Sequence, residues 1–533
     1  MMVTATRPPG SANSRGTAVA VGRQFGVPVF DLDAMELDLD VVRIVDEKLL
    51  AKHRVLPLLQ RGNRLYIGVG DPTDLQALDE IKFQTSLRVE PVVVERDKLE
   101  ARVVRAIEAV DTTLASFDDE EFDNHHLEIF AGGEETGPEI ANADVEDAPV
   151  VRFVNKVMLD AIRRSASDVH FEPYEKYYRI RLRQDGVLSE IARPPVALAM
   201  KVAARLKVMA RLDIAERRIP QDGRIRMRLS NARAIDFRVN SCPTLFGEKI
   251  VCRLLDPSSA RLGIDTLGYE EAQKRLYVDN LMKPYGMILV TGPTGSGKTV
   301  SLYAGLNILN TADRNISTAE DPAEINVPGI NQVNVNPKTG LTFASALRAF
   351  LRQDPDIIMV GEIRDLETAE IAIKAAQTGH LVLSTLHTND APRTLTRMVD
   401  MGVKPYAIAS SVSLIIAQRL ARRLCANCRE AVDVPAEALR KEGFTQADVG
   451  EMRTVFHARG CSRCNAGYSG RIGIYQVMPV TETIGRIIMK GGNAMQIASQ
   501  AKADGVADLR MSGLKKVKDG ITSLEEINRV TID

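Results

Sequence analysis

The feature that most constrains this chain is a glycine-rich loop that follows an apolar segment. Residues 287–290 are apolar and lead into Gly292-x-x-x-x-Gly297-Lys298-Thr299. Backbone N–H groups can wrap a polyphosphate only where no Cβ blocks them, and the lysine then meets the phosphate charge. The pattern therefore predicts a nucleotide-binding loop. The residues predicted to contact the nucleotide are Gly292, Pro293, Thr294, Gly295, Ser296, Gly297, Lys298 and Thr299.

The loop also predicts the architecture around it. Thr299 is placed to offer its hydroxyl to Mg²⁺ at the start of a helix predicted over 299–309, whose N-terminus favours an anion. Segments typical of strands and helices alternate from the loop to about residue 421. Such alternation is typical of a parallel sheet covered on both faces, so the predicted fold class is α/β.

Length and charge narrow the range of functions. A chain of 533 residues exceeds what one core supports, so several domains are expected. No run approaches the roughly 18 apolar residues of a membrane span, and the first 30 residues lack a signal-peptide core. We therefore expect any membrane role to depend on a partner. The net charge of −1 lacks the basic excess of a motor that tracks nucleic acid.

Composition changes along the chain predict its domain organisation. Acidic residues with few aliphatics follow residue 110, and an amphipathic helix begins near residue 148. The predicted segments are a disordered tail (1–16), an α/β regulatory or docking domain (17–110), an acidic flexible linker (111–147), an α+β domain (148–257) and the nucleotide domain (258–533). The last contains a predicted cysteine-rich subdomain (422–468) and a predicted C-terminal helical region (471–533).

Carboxylates follow two predicted strands of the nucleotide domain. Glu320, Asp321 and Glu324 form the first group, and Glu362 follows the apolar segment 357–360. Ligands bind at the carboxyl edge of open α/β sheets. A carboxylate at that edge holds Mg²⁺ or its water, so we expect Glu362 to complete a nucleoside triphosphatase site. A solvated strand end is the alternative, and it has more weight for the first group.

Two histidines flank the next apolar strand. His380 and His387 lie at the two ends of the segment 381–385. Each can donate a hydrogen bond to a γ-phosphate. Loss of that phosphate would then change the contacts at the end of the strand. A purely structural role is the alternative for a single histidine.

Two pairs of arginines either face solvent or act in a neighbouring subunit. Arg238 and Arg253 interrupt predicted strands of the 148–257 domain, either as part of an exposed face or to reach a phosphate in a partner's site. Arg348 and Arg352 lie four residues apart on a predicted helix, so they share a face. That face is either solvated or directed at a neighbouring subunit.

Four of the six cysteines form two C-x-x-C pairs separated by 32 residues. The pairs are Cys425 with Cys428 and Cys461 with Cys464. Each pair can hold half of a tetrahedral zinc site, and four thiolates leave no position open for a substrate. The pattern therefore favours structural zinc over redox chemistry or unmetallated buried thiols.

These motifs together resemble a known family. Residues 292–299, 320–324, 354–365 and 378–389 resemble the Walker A, Asp box, Walker B and His box of the secretion-superfamily ATPases. The four cysteines and the segment 166–173 are similar to the type II secretion and type IV pilus branch. The segments 212–224 and 234–240 are most similar to the pilus assembly members.

The resemblance implies a RecA-like core that follows a PAS-like α+β domain. It implies a cytoplasmic homo-hexamer at the inner membrane that couples ATP hydrolysis to movement of an integral platform protein, without nucleic acid. By motif position, Glu362 holds Mg²⁺, Glu324 orients or deprotonates the attacking water, and Arg238 and Arg253 project toward the nucleotide. The Arg-Leu-Gly motif of relatives that bind cyclic di-GMP is absent before Ile44, so the resemblance does not by itself imply that regulation.

The alternatives are a type II secretion ATPase, which uses the same chemistry on another platform protein, and a DNA-translocating or nucleic-acid-binding ATPase. A nucleotide-gated scaffold that does not hydrolyse ATP is a third. Gene neighbourhood, DNA-stimulated turnover and phosphate release, respectively, distinguish them.

Overall fold

The computed structural model describes residues 14–34, 39–42, 44–45, 47–85, 87–100, 102–103, 128–131, 148–230, 233–256, 263–451, 454–461 and 463–531. The predicted tail up to residue 13, and the predicted linker apart from 128–131, lie outside these residues.

The first domain is built on a three-stranded sheet of order β1-β2-β3. Its strands are Leu56–Arg61 (β1), Arg64–Val69 (β2) and Arg88–Val93 (β3), and its helices are Ser14–Phe25 (α1), Leu39–Val42 (α2), Glu47–His53 (α3) and Leu75–Thr85 (α4). Ala18 of α1 is buried. Residues 14–16, predicted as part of a disordered tail, therefore begin a packed helix.

The second sheet has seven antiparallel strands in the order β4-β8-β9-β10-β5-β6-β7. The strands are Glu128–Ala131 (β4), Asp168–Pro173 (β5), Tyr178–Gln184 (β6), Val187–Ala192 (β7), Gln221–Ser230 (β8), Arg233–Thr244 (β9) and Gly247–Leu255 (β10). Helices Ala148–Arg163 (α5) and Ala199–Met209 (α6) cover one face, where Val154 and Leu206 join one core with Phe171. This is the predicted α+β arrangement.

One segment of this sheet differs from the sequence predictions. Residues 128–131 were assigned to the acidic linker but form edge strand β4, because an edge strand needs only backbone pairing with one neighbour, here β8. Strand β8 begins at Gln221, which pairs with Ser241 of β9.

The third sheet contains the phosphate loop and has the order β13-β12-β14-β15-β11-β16-β19. Its strands are Gly286–Thr291 (β11), Ile316–Glu320 (β12), Asn331–Asn334 (β13), Ile357–Val360 (β14), Leu381–Leu386 (β15), Val412–Leu424 (β16) and Tyr468–Pro479 (β19). Its helices are Glu271–Leu281 (α7), Lys298–Leu309 (α8), Phe343–Phe350 (α9), Leu366–Gln377 (α10), Ala391–Asp400 (α11) and Pro405–Ser411 (α12).

Both faces of the third sheet are covered. Met287 and Leu289 of β11 pack into one core, and the alternating Ile288 and Val290 pack into another. All strand pairs are parallel except β16 with β19. The predicted α/β class and doubly covered sheet are confirmed.

The remaining elements follow β16 in the chain. They are Arg429–Val432 (β17), Ala436–Lys441 (α13), Gln446–Glu451 (α14), Val455–Ala458 (β18), Glu482–Met489 (α15), Ala494–Ala503 (α16), Leu509–Lys518 (α17) and Leu524–Thr531 (α18). Residues 471–479, predicted as part of a helical region, instead belong to β19. This strand is buried over 472–478, where it pairs with β16 as the last strand of the third sheet. No helix among the described residues is both long and apolar enough to cross a membrane.

Candidate active site

A cavity of about 760 Å³ lies between the second and third sheets, at the carboxyl edge of the third. The third sheet's domain contributes the loop residues 294–299 and the side chains of Glu320, Asp321, Glu324, Glu362 and His387. The second sheet contributes Asp168, Arg183 and Arg253. Residues that are far apart in the sequence therefore face one space, at the edge where open α/β sheets bind ligands.

The phosphate loop connects the end of β11 to the start of α8. Gly292 and Gly297 have φ values of 150° and 86°. A residue with a side chain would be strained at these values. A Cβ on Gly292 would also lie 2.5 Å from the carbonyl oxygen of Gln418. The glycine spacing is thus required by the fold behind the loop as well as by a phosphate in front of it.

The Lys298 ammonium group lies within the loop. Its Nζ donates to the carbonyl oxygens of Gly292 and Pro293, at 2.8 Å and 3.2 Å. Burial lowers the pKa of Lys298 to about 8. A bound polyphosphate would supply the opposite charge, so nucleotide binding should raise that pKa again.

This shift predicts a pH dependence of nucleotide affinity. Well below pH 8, Lys298 is charged in both the free and the bound protein, so the Kd for ATP should be flat. Above the free-state pKa of about 8, binding must take up a proton, and Kd should rise by up to about tenfold per pH unit. Titration calorimetry across this range measures the effect. The variant Lys298→Arg should lose the rise, because a guanidinium stays charged, and an unchanged rise would contradict the assignment.

Glu362 follows β14 and has two partners at the cavity. Its Oε1 accepts a hydrogen bond from Arg364, and its Oε2 lies 3.4 Å from His387 Nε2. Burial disfavours the ionised carboxylate, but Arg364 and His387 outweigh burial, so the pKa of Glu362 lies below its usual value. The group is therefore an ionised carboxylate, which is the ligand type that Mg²⁺ prefers.

The first acidic group divides into two environments. Glu320 is buried and accepts hydrogen bonds from Tyr303 Oη at 2.5 Å, Thr318 Oγ1 at 2.7 Å and Gln332 Nε2 at 3.0 Å. Its oxygens are occupied by the protein, which gives it a supporting part in the wall. Glu324 is more open, and its Oε1 lies 3.5 Å from Arg238 Nη1 of the second sheet. Asp321 also lines the cavity with an exposed carboxylate, 3.9 Å from Arg364 Nη2. Glu324 and Asp321 are therefore the members of the group with a carboxylate available to a water.

The two arginines of the second sheet are both directed at this region. Arg253 lines the cavity, and its Nε donates to Asp168 Oδ1 at 2.9 Å. Arg238 contacts Glu324, and its buried Nη2 has no hydrogen-bond partner within the described part of the chain. A buried guanidinium nitrogen without a partner is costly unless a ligand supplies one. The exposed-face interpretation therefore does not fit Arg238.

Three predicted residues lie elsewhere in this single chain. His387 follows β15 at the cavity edge, whereas His380 precedes β15 and donates from its Nδ1 to the Ala375 carbonyl oxygen at 3.0 Å. A six-residue strand spans roughly 20 Å, so His380 does not reach a phosphate on this chain's loop. Arg348 pairs with Glu367, and Arg352 Nη1 donates to the Arg348 carbonyl at 2.9 Å. Both arginines are outside the cavity lining.

Sequence reasoning missed two residues that support the site. Gln418 of β16 donates to the Ser296 carbonyl oxygen at 2.7 Å, behind the loop. Thr291 Oγ1, at the end of β11, lies 2.6 Å from Thr388 Oγ1 and joins the loop to the segment after β15. Gln418 had a recognisable signal, because it is a single amide directly after the apolar run 414–417. Thr291 had none.

The four predicted cysteines come together. Their Sγ atoms lie within 4.8 Å of one another, with 3.9 Å from Cys425 to Cys461 and 3.6 Å from Cys428 to Cys464. Four sulfurs at about 2.3 Å from a tetrahedral zinc ion would be roughly 3.8 Å apart. The thiols therefore fit zinc without rearrangement, and the cluster is compatible with the predicted structural site.

The fold and the cavity define a P-loop nucleoside triphosphatase with a RecA-like core. Residues 143–529 match the family described as type II/IV secretion system protein, and residues 25–111 match the MshEN domain. Because the first match covers more than half of the chain, the protein belongs to the type II/IV secretion system family and is an ATPase. The resemblance and the fold class predicted from the motifs are confirmed.

Several relatives align over most of the chain. It is 58% identical over 510 residues to the type IV pilus assembly ATPase PilB of Pseudomonas aeruginosa, covering 96% of this chain and 89% of the relative. It is 46% identical to PilB of Myxococcus xanthus, covering 95% and 89%. It is 48% identical over 387 residues to the type II secretion system protein E of Dickeya dadantii, covering 72% and 76%.

Solved structures share the fold. The pilus retraction motor PilT with bound ADP is 26% identical, with a TM-score of 0.50 over 71% of this chain and 95% of that one. The ATPase DotB of Legionella pneumophila is 21% identical, with a TM-score of 0.52 over 71% and 95%, and supports the fold alone.

Proposed function

We propose that this chain is the motor ATPase of type IV pilus assembly, which drives addition of pilin subunits. The observation that carries the proposal is the extent of the alignment. The pilus assembly relative aligns over 96% of the chain, including the first domain, whereas the type II secretion relative aligns over 72%. The two systems share the ATPase chemistry, so the ATPase domain does not separate them. The alignment of the part of the chain outside that domain favours the pilus branch.

In the proposed site, residues 292–299 bind the phosphates of ATP. Lys298 exchanges its carbonyl partners for the β- and γ-phosphates. Thr299 and Glu362 would hold Mg²⁺, which when bound supplies positive charge to the phosphate oxygens. Glu324 orients or deprotonates the attacking water, and Asp321 and His387 complete the wall that faces it. The role proposed for Glu320 is to hold this wall through Tyr303.

The two arginines of the second sheet are proposed to meet the charge that develops on the transferred phosphoryl group. They come from one side of the cavity and the loop from the other. ATP therefore draws the two sheets together, and hydrolysis with product release lets them part. This change in spacing is the proposed source of mechanical work.

We propose that the motor works as a homo-hexamer in the cytoplasm, held at the inner membrane by an integral platform protein, without nucleic acid. Arg348 lies on α9, whereas Arg352 lies in the turn after that helix ends at Phe350 and so does not share the predicted helix face. Both are exposed and outside the cavity lining, and His380 lies at the opposite sheet edge. These positions suit contacts with a neighbouring subunit's nucleotide. The proposed organisation keeps the first domain as the docking or regulatory domain. The segment 111–147, apart from strand β4, links it to the 148–257 and 258–533 domains.

The experiment that tests the pilus proposal is complementation. A Pseudomonas aeruginosa strain without its own pilus assembly ATPase receives this chain, and surface pilin and twitching motility are measured. We expect restoration by the unaltered chain and none by Glu362→Gln at equal expression. A second strain lacks its type II secretion ATPase instead. If the chain restores secretion in that strain but no pili in the first, the type II secretion ATPase is favoured. Turnover that requires DNA would favour a nucleic-acid motor.

We also propose that the four cysteines hold a structural zinc ion, and Cys425→Ser tests this. The variant should lose about one zinc per chain, because three thiolates no longer fill the tetrahedral shell. Residues 422–468 should become sensitive to protease, while ATP affinity should change little. Metal analysis by mass spectrometry and limited proteolysis measure both effects.

The matched control is Cys242→Ser, which alters an exposed cysteine outside the cluster. Its zinc content and protease resistance should equal those of the unaltered chain. Full zinc occupancy in Cys425→Ser would contradict the proposed site.

A further inference from the structure

Gln418 is a buried glutamine whose side chain forms one hydrogen bond to the phosphate loop and one to the helix that follows the loop. It lies on β16 with 2% of its surface exposed. Its Nε2 donates to the carbonyl oxygen of Ser296 within the loop, at 2.7 Å. Its Oε1 accepts from Ser301 Oγ in the first turns of α8, at 2.8 Å. One side chain thus joins the loop to the helix that the loop opens.

The orientation of this amide follows from its partners. A carbonyl oxygen can only accept, so the atom that faces Ser296 must be the NH₂ group of Gln418. The amide oxygen then faces Ser301, whose hydroxyl can donate. Both ends of the amide are satisfied only in this arrangement, so the side chain has a single favourable position.

The loop approaches Gln418 closely. A Cβ on Gly297 would lie 2.8 Å from the Nε2 of Gln418, and a Cβ on Gly292 would lie 2.5 Å from its carbonyl oxygen. Two glycines of the loop therefore allow contact with β16. The rear of the loop is held by the protein, leaving its front for the phosphates.

Ser301 continues the network away from the loop. Its carbonyl oxygen accepts from Tyr277 Oη at 2.9 Å, and its hydroxyl lies 3.4 Å from Tyr269 Oη. Tyr269 stacks on Tyr475 of β19, with ring centroids 3.7 Å apart. The partner of Gln418 on α8 is therefore itself held by α7 and the last strand of the sheet.

We propose that Gln418 is a positioning residue that holds the phosphate loop in its nucleotide-binding shape before nucleotide arrives. The inference rests on the proposed ATP site. It assigns Gln418 to the binding of phosphates common to ATP and ADP, because the contact is behind the loop and away from the bond that breaks. Loss of the contact raises the cost of ordering the loop on binding.

The test is Gln418→Met in the full chain, which keeps the side-chain length and removes both hydrogen bonds. We expect the Kd values for ADP and MgATP to rise together by about tenfold, the change that one buried hydrogen bond supplies. We expect kcat at saturating ATP to change by less than about threefold, since the groups that act in the transition state are untouched.

The matched control is Gln476→Met on the neighbouring strand. Gln476 is buried to a similar degree, and its Oε1 accepts from the backbone N of Ala391 at 3.0 Å, away from the loop. It should leave both Kd values unchanged. If Gln418→Met does not fold, Ser301→Ala removes one of the two bonds. Ser301→Ala should raise both Kd values by about threefold, which is less than the effect of losing a whole buried hydrogen bond.

Equal Kd values in Gln418→Met and Gln476→Met would overturn the inference, as would a fall in kcat with unchanged Kd. Unchanged Kd values in Ser301→Ala would also overturn it if the methionine variant does not fold. Failure of the unaltered chain to bind either nucleotide would instead overturn the proposed function.

Discussion

Replacing Arg253 with alanine is expected to reduce kcat by about 10³-fold while changing the Kd for ATP little, the scale of effect of an arginine that stabilises phosphoryl transfer. Arg253 lines the cavity opposite the phosphate loop. Its Nε donates to Asp168, and within the described residues the two terminal nitrogens remain for phosphate oxygens. Their charge matters most when negative charge develops during transfer. Phosphate release under saturating ATP, with binding measured separately, gives the two quantities.

Arg193→Ala is the matched control. Arg193 belongs to the same domain but pairs with Glu190 at 3.0 Å, outside the cavity lining. It should leave turnover unchanged. Arg253→Lys should recover only part of the rate, because an ammonium keeps the charge but lacks the planar fork. Full turnover in Arg253→Ala would place the charge-stabilising group elsewhere.

Glu362→Gln is expected to lower kcat by about 10³-fold, since stabilisation of transition-state charge by a bound metal is worth several kcal/mol. The change keeps the shape of the side chain and removes its charge. The pKa of Glu362 lies below its usual value because Arg364 and His387 outweigh burial, so the carboxylate is charged at neutral pH. The variant should weaken MgATP binding but leave binding of metal-free ATP almost unaffected.

The comparison of MgATP with metal-free ATP separates a lost metal ligand from a distorted loop, because a distorted loop would weaken both. Glu370→Gln, which alters an exposed residue on the helix that follows, serves as the control and should behave as the unaltered chain. Equal MgATP affinity and normal turnover in Glu362→Gln would remove Glu362 from the metal site.

The domain arrangement explains why these effects should appear in kcat. The cavity is shared between two sheets, and one polar contact across the boundary joins Gly470 N to Asp185 Oδ2 at 2.9 Å. Arg238 and Glu324 make another, at 3.5 Å. Arg471 Nε and Asp185 Oδ1 make a third, at 3.6 Å. Polar, partly exposed contacts of this kind suit surfaces that separate in each cycle. A nucleotide that binds both sides would add contacts in the closed arrangement and shift the population toward it.

The sequence by itself determined the phosphate loop, the strand that delivers Glu362 and the cluster of four cysteines. In each case the chemistry is encoded by neighbouring residues: glycine spacing fixes the local backbone, an apolar run forms a buried strand, and two C-x-x-C turns present paired thiols. Local interactions decide these features, so a local pattern is enough to predict them.

Only the tertiary structure decided the rest of the site. It placed His387 at the cavity and His380 at the opposite edge, directed Arg253 and Arg238 across the boundary, added residues 128–131 and 471–479 to sheets, and put Gln418 behind the loop. These outcomes depend on the order of strands in a sheet and on contacts between residues 122 and 285 positions apart. Periodicity in the chain specifies which face of a strand is buried, but not which strand becomes its neighbour.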